Sequence, residues 1–209
     1  MKISYAICTH NEVSCLLNLI NELTINKDAE DEVVILDDYS TNQETLDILK
    51  SQPNVHYNNL NKDYATHKNI LITKCSGDYI FQIDADEYPT RTLFKNIKTI
   101  LRKNPKTEMF RVPRENYVTG IQATHLKKWN WVLDSQSRIN YPDYQTRIFK
   151  NKKSIRWTRS VHEYIIGHTS ASNLPKDHSL DLIHTKSISK QETNNNIYDS
   201  NYNSDGSVK

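Results

Sequence analysis

Glycine is scarce in this 209-residue chain, which carries only Gly77, Gly120, Gly167 and Gly206. Neither GxGxxG nor GxxxxGK(S/T) can be written anywhere in it, so the two common glycine-built phosphate cradles are excluded. Cysteine is nearly as sparse: Cys8, Cys15 and Cys75 form no CxxC pair, which argues against structural zinc and against a disulfide framework. An odd cysteine count of this kind predicts a reducing, cytoplasmic compartment. No apolar run approaches the roughly 20 residues of a bilayer span, and the opening Met1–Cys8 segment turns polar too soon for a signal peptide. Charge of one sign is also missing. Twenty-seven Lys and Arg against 25 Asp and Glu leave a net charge of +2, too little to predict a nucleic-acid or anionic-membrane partner.

What is present suits a globular enzyme. With 36% hydrophobic and 25% charged residues, the chain can bury roughly 70% of its unfolded surface as one domain. Its first hundred residues alternate between strand and helix patterns. Strands are predicted at residues 3–9, 32–36, 55–57 and 79–83. Helices are predicted between them from Val13, Leu16, Leu17 and Ile20, from a Thr41–Glu44 capping box, and from Ala65 to Cys75 with Gly77 as its stop. A further helix follows through Leu93, Phe94, Ile97 and Leu101. This rhythm predicts an α/β fold, a mostly parallel central sheet flanked by helices. After Pro105 it gives way to strands at 109–112, 144–149 and 180–184, a smaller mixed or antiparallel part. Residues 1–186 are expected to form the domain, split into a nucleotide-binding half (1–104) and an acceptor half (105–186). Residues 187–209 are expected to be a weak helix, near 188–198, and a polar tail.

Ligands of such sheets bind beyond the carboxyl ends of the strands. Three polar clusters fall there: Thr9 to Glu12, Asp37-Asp38 and Asp84 to Glu87. The last ends a short apolar strand with two carboxylates one residue apart, oxygen ligands suited to a hard divalent cation. By itself the pair equally describes an acidic loop that caps the next helix. Convergence of three clusters on one rim favours the cation.

In order and spacing, Cys8-Thr9-His10-Asn11-Glu12, Val34 to Thr41 and Ile83-Asp84-Ala85-Asp86-Glu87 resemble the successive signatures of family 2 glycosyltransferases, enzymes of the single-domain GT-A fold. Lys68-Asn69 and Cys75 to Ile80 are similar to the segment before that family's DxD. Tyr141 to Phe149 and Val161-His162-Glu163 resemble its lipopolysaccharide-core glucosyltransferase branch. The likeness runs over about residues 3 to 186.

That resemblance implies a metal-dependent, inverting transfer of sugar from a nucleoside diphosphate donor, UDP-linked by preference, to a hydroxyl of a glycan or similar acceptor. Asp86 would bind Mn²⁺ or Mg²⁺, with Asp84 reaching the ribose or the metal shell. His184 would complete that shell, His162 being the alternative. Asp38 would receive the base, and Thr9, Asn11 and Glu12 would line the same pocket. Lys68 and Lys186 would pair with phosphate. Glu163 would be the general base, in a wall made partly apolar by Trp157 and Tyr164, with Asp143 as the other candidate. Simpler roles stand beside these: Asp37 or Asp38 as a turn cap, Lys68 as a solvated helix lysine, Glu163 in a salt bridge to Arg156 or Arg159. Trp129, Trp131, Trp157, Tyr117, Tyr141 and Tyr144 offer faces for sugar rings, and Lys127, Lys128, Lys150, Lys152 and Lys153 offer charge for an anionic acceptor.

Two other classes compete. A nucleotidyltransferase would need a basic, glycine-rich early loop, which Thr9 to Glu12 is not. A carbohydrate-binding module would use the tryptophans and leave Asp38, Asp84 and Asp86 without a task.

Overall fold

A computed structural model describes residues 1–203 and 205–209; Ser204, within the expected polar tail, lies outside the described residues. In chain order the elements are Ile3–Thr9 (β1), Ser14–Asn26 (α1), Glu32–Asp37 (β2), Gln43–Lys50 (α2), Val55–Tyr57 (β3), Tyr64–Thr73 (α3), Tyr79–Asp84 (β4), Glu87–Pro89 (β5) and Arg91–Lys103 (α4). There follow Met109–Thr119 (β6), Ala123–Trp129 (α5), Ile139–Lys150 (β7), Arg156–Thr158 (β8), Tyr164–Ile166 (β9), Ala171–Asn173 (β10), a 3-10 turn at His178–Leu180, Leu182–Ser187 (β11) and Ile188–Asn201 (α6).

The described strands build one large sheet in the order β3-β2-β1-β4-β7-β6-β11-β5, with β10 beside β6, and a separate β8–β9 hairpin. β3, β2, β1 and β4 run parallel, while β7 is antiparallel to both of its neighbours, β4 and β6. This is the α/β sheet expected, with its mixed part after Pro105. β1 and β4 read as near-continuous apolar runs because both of their faces are covered. Ile3, Tyr5 and Ile7 pack with Phe81 and Ile83 against Leu16, Leu19 and Leu23 of α1 and Leu93, Phe94 and Ile97 of α4. On the other face Ala6, Leu36 and Ile80 pack with Leu71 of α3 and with Trp157 and Ile165 of the hairpin.

Three local expectations change. The cap of α2 is Asn42, whose side chain accepts from Thr45 N at 3.0 Å; the Thr41 N–H is already taken, donating to Asn11 Oδ1 at 2.8 Å. Gly77 is not a left-handed helix stop, since α3 ends on Lys74 in a right-handed conformation. It is there for closeness: a Cβ at 77 would lie 2.6 Å from the Ser4 backbone nitrogen and 2.9 Å from the Tyr79 carbonyl oxygen. Finally, β5, β9, β10 and α5 were not anticipated, being short and without a clear period.

Because the atoms around Gly77 are backbone, they cannot give way locally. Gly77→Ala is therefore expected to destabilise the chain by about 1–3 kcal/mol, read as a lower midpoint in urea. An unchanged midpoint would mean that the β1–β4 edge is looser than this contact requires.

Candidate active site

Parallel pairing brings the carboxyl ends of β1, β2 and β4 to one rim. Thr9 stands level with Asp37, and Cys8 with both Leu36 and Asp84. The rim opens into a cleft of about 480 Å³ lined by Thr9, Glu12, Asp38, Lys68, Asp84, Asp86, Glu163, His184 and Lys186, among others. Of the eleven sequence-predicted site residues, Asn11 and Asp143 are absent from its walls.

The doubled aspartate divides its labour. Asp37 is fully buried and holds the turn, accepting from Ser40 N at 2.7 Å and Ser40 Oγ at 2.5 Å. Asp38 gives one oxygen to Leu60 N at 2.8 Å and turns toward the cleft, where His10 Nδ1 lies 4.0 Å from the other. Asn11 ties the two loops together: its Oδ1 accepts from Thr41 N and Asn42 N at 2.8 and 2.9 Å, so its polar end faces backbone. Thr9 Oγ1 is buried on the cleft wall with no hydrogen-bond partner among the described residues, a cost the fold carries unless a ligand meets it.

At β4 the geometry rests on Glu87, which is fully buried. Arg147 donates Nε to its Oε2 at 2.8 Å and Nη2 to its Oε1 at 2.7 Å, and Arg114 adds Nη1 to Oε1 at 2.7 Å. Burial opposes the Glu87 anion, but the two guanidinium groups outweigh it and hold the carboxyl at about 2. The same Arg147 Nη2 reaches Asp84 Oδ2 at 2.5 Å. Asp84 is thus committed to Arg147, with Lys68 Nζ 4.0 Å from its other oxygen, and among the described residues it does not gather with Asp86 and His184 into a three-ligand cluster.

Asp86 and His184 do meet. His184 Nδ1 lies 2.8 Å from Asn116 Oδ1, and its Nε2 faces Asp86 Oδ2 at 3.4 Å. Donation from Nδ1 to the amide oxygen would leave Nε2 free to take a metal, whereas without one a proton on Nε2 makes its contact with Asp86 a hydrogen bond. A carboxylate oxygen and an imidazole nitrogen at this spacing suit one divalent cation between them. Lys190 Nζ competes for the place, 3.4 Å from the same Asp86 oxygen and 2.5 Å from Glu12 Oε1. Burial works against the Asp86 anion, yet His184 first and Lys190 next bring its carboxyl down to about 2. Lys186 lies one alternation beyond His184 on β11; burial, then Arg114, depresses its ammonium. His162 sits by Tyr198, with ring centroids 6.3 Å apart, and does not line this cleft.

Lys68 is no surface lysine: it is buried beneath the cleft, 4.6 Å from the Trp157 ring centroid, and in contact with Glu163 Oε1. Burial disfavours its charge, but Asp84 and then Glu163 more than compensate and raise its pKa. The partner of Glu163 is therefore Lys68, in place of Arg156 or Arg159. Its neighbourhood is less apolar than expected: Trp157 points into the core, donating Nε1 to Gln82 Oε1 at 2.8 Å, and Tyr164 is half exposed. Asn69 explains how Glu163 arrives there. Its amide clasps the Trp157 backbone in both directions, at 2.9 Å each, and docks the β8–β9 hairpin on α3. Asp143 sits outside the cleft wall; Arg114, Asn116 and Gln145 all donate to it, and against the burial penalty Arg114 keeps its pKa low. A carboxylate so thoroughly engaged is a poor proton acceptor.

Other expectations fall away in the same manner. Lys150 donates to the Pro105 carbonyl at 2.6 Å and Lys152 pairs with Glu108, so neither is free for an anionic acceptor. Burial pushes the Cys8 thiol, level with Asp84 at the rim, up to about 12. Sequence reasoning missed Arg114 and the contribution of α6, which it set outside the domain: Lys190, Gln191, Asn194 and Tyr198 all line the cleft. Only the residue types, a lysine and a tyrosine eight apart on a helix, pointed to them.

Asp86 and Glu87, both near 2 in the fold, sit below the roughly 3.9–4.3 of unfolded carboxyls. Their stabilisation is fully present above the unfolded values and is lost as pH falls through the folded ones. The urea midpoint should therefore drop between about pH 4 and pH 2, and drop less steeply in Asp86→Asn; equal slopes would show that Asp86 is not held ionised.

Against known proteins, the family model described as glycosyl transferase family 2 matches residues 4–165. The search of curated proteins returned no match. Among solved structures, TarS 1–349 of S. aureus is similar with TM-score 0.58 and 16% identity over 88% of this chain and 60% of that one. Its complex with UDP-GlcNAc gives TM-score 0.60 and 17% identity over 89% and 59%, and its complex with UDP gives 0.59 and 18% over 89% and 61%. The chain thus spans about 60% of the length of TarS 1–349. With three-quarters of its length matched by one family model, the chain belongs to glycosyl transferase family 2.

Proposed function

We propose that the chain transfers a sugar from a nucleoside diphosphate, UDP by preference, to a hydroxyl acceptor with inversion at the anomeric carbon. The observation that carries this reading is the junction of two cavities. The rim cleft adjoins a second cavity of about 400 Å³, and Lys68, Asp84, Arg114, Glu163 and Tyr198 line both. A donor in the first and an acceptor in the second would meet at Glu163.

Each residue has a task in this scheme. The free oxygen of Asp38 accepts from the N–H of a uracil-like base, and Thr9 Oγ1 gains the partner it lacks. Lys186 and Lys190 offer positive charge to the diphosphate. Asp86 and His184 would hold Mn²⁺ or Mg²⁺, which when bound neutralises the charge on the departing diphosphate. Arg147 keeps Asp84 still beside the sugar. Glu163 accepts the acceptor's hydroxyl proton as the new C–O bond forms and the anomeric C–O bond to the diphosphate breaks; Lys68 aims it until the hydroxyl arrives. The solved TarS complexes with UDP and UDP-GlcNAc support the choice of donor. Trp157 in the core and Trp129 stacked on His125 do not make a sugar platform at the cleft, which weakens the binding-module alternative.

Thermal melts with UDP, GDP, CDP and ATP, each with and without Mn²⁺, test the donor. One diphosphate should stabilise the chain only with metal, the response scaling as RT ln(1 + [L]/Kd), and Asp86→Asn should abolish it while melting normally alone. Indifference to all four would defeat the proposal. Glu163→Gln should retain that shift and lose sugar transfer by about 100-fold or more; a variant as active as the parent would take Glu163 out of the reaction.

A further inference from the structure

On the other face of β6, away from the cleft, two carboxylates lie buried together. Alternation sends Arg114 and Asn116 toward Asp143 and sends Glu115 and Tyr117 the opposite way. Glu115 and Asp181 are fully inaccessible there. One ligand atom from each, with one from His178, falls within 4.8 Å of the other two. Glu115 accepts from His178 Nδ1 at 2.5 Å, Arg138 Nη1 at 3.0 Å and the Tyr117 hydroxyl at 2.9 Å. Asp181 Oδ2 accepts from the Tyr141 hydroxyl at 2.8 Å, whereas the buried Oδ1 has no partner among the described residues.

Charge at this spot does not balance. Arg138 is shared between Glu115 and Asp134, whose Oδ2 takes its Nε at 2.8 Å, and among the described residues neither it nor any other arginine or lysine pairs with Asp181. The Lys176 ammonium lies over the Tyr141 ring, 5.3 Å from its centroid. Burial and the adjacent Glu115 push the Asp181 carboxyl up to about 6, the mark of anions held too close. A buried oxygen with no donor, facing a second carboxylate and an imidazole, has the composition of a cation site rather than of an ion pair.

We propose that Glu115, His178 and Asp181 form a second, structural cation site, separate from Asp86 and His184, for a borderline divalent ion such as Zn²⁺. One imidazole and two carboxylates favour such an ion over Mg²⁺ or Ca²⁺, which prefer oxygen alone. His178 has an exposed ring free to swing off Glu115 and admit the ion. Bound there, Zn²⁺ would clamp the 3-10 turn and the entry to β11 onto β6, replacing the His178–Glu115 hydrogen bond with two metal bonds.

Zinc titration of the metal-stripped full chain against a chromophoric chelator tests the site. Asp86→Asn/His184→Ala should still take up Zn²⁺ tightly and gain melting temperature from it. His178→Ala should lose that equivalent and that gain while keeping the parent's response to diphosphate with Mn²⁺, and Asp181→Asn, if it folds, should match it. Should His178→Ala bind as many zinc ions as the parent, or the Asp86→Asn/His184→Ala chain bind none, the site does not exist. Neither outcome bears on the donor assignment, which rests on diphosphate melts.

Discussion

The buried anion of Glu87 is the interaction on which the rim depends. Sealed under β4, it draws Arg114 from β6 and Arg147 from β7, and Arg147 in turn takes Asp84. Moving such groups out of water costs several kcal/mol per ion before pairing returns any of it, so this arrangement is a weak source of stability. What it supplies is placement. Three strands distant in sequence are locked at one height, and Asp84 is left with a single orientation instead of a choice between metal, ribose and lysine. The acidic run at the end of β4 therefore holds three different carboxylates: one structural, one restrained, and one, Asp86, turned to His184.

Much of this was legible in the chain itself because the parallel half obeys simple rules. Apolar runs of five to seven residues ended by polar clusters predict strands whose carboxyl ends share a rim, and Thr9, Asp38, Asp84 and Asp86 lie on it. His184 and Lys186 were reached through family likeness and fall on the same wall. Less readable was anything set by partners rather than by period. Asp143 and Asn11 looked available because sequence does not show that Arg114 and two backbone N–H groups already occupy them. Lys68 reads as a phosphate partner, with a solvated lysine as the alternative, because its burial and its contact with Glu163 come from a hairpin almost a hundred residues away. Strands of three residues carry little pattern: β3 is legible at 55–57, whereas β5 and β9 are not.

The two sides of the cleft are joined by modest means. Asn69 grips the Trp157 backbone, and with it the hairpin that leads to Glu163, through two ordinary hydrogen bonds. Lys68, the preceding residue on α3, meets Glu163 directly. Neighbouring residues of one helix thus set both the position and the charge environment of the proposed base. A change at either would be felt at Glu163, although both residues lie on α3, nearly a hundred residues away in the chain.

Lys190 reaches Glu12 across 178 residues of chain. Closing so long a loop carries an entropic cost that rises only slowly with length, but the contact must wait for everything between. The β1 loop is made long before α6, and without α6 the cleft wall lacks Lys190, Gln191, Asn194 and Tyr198. The cleft wall is completed only once α6 has packed against β11 and β6.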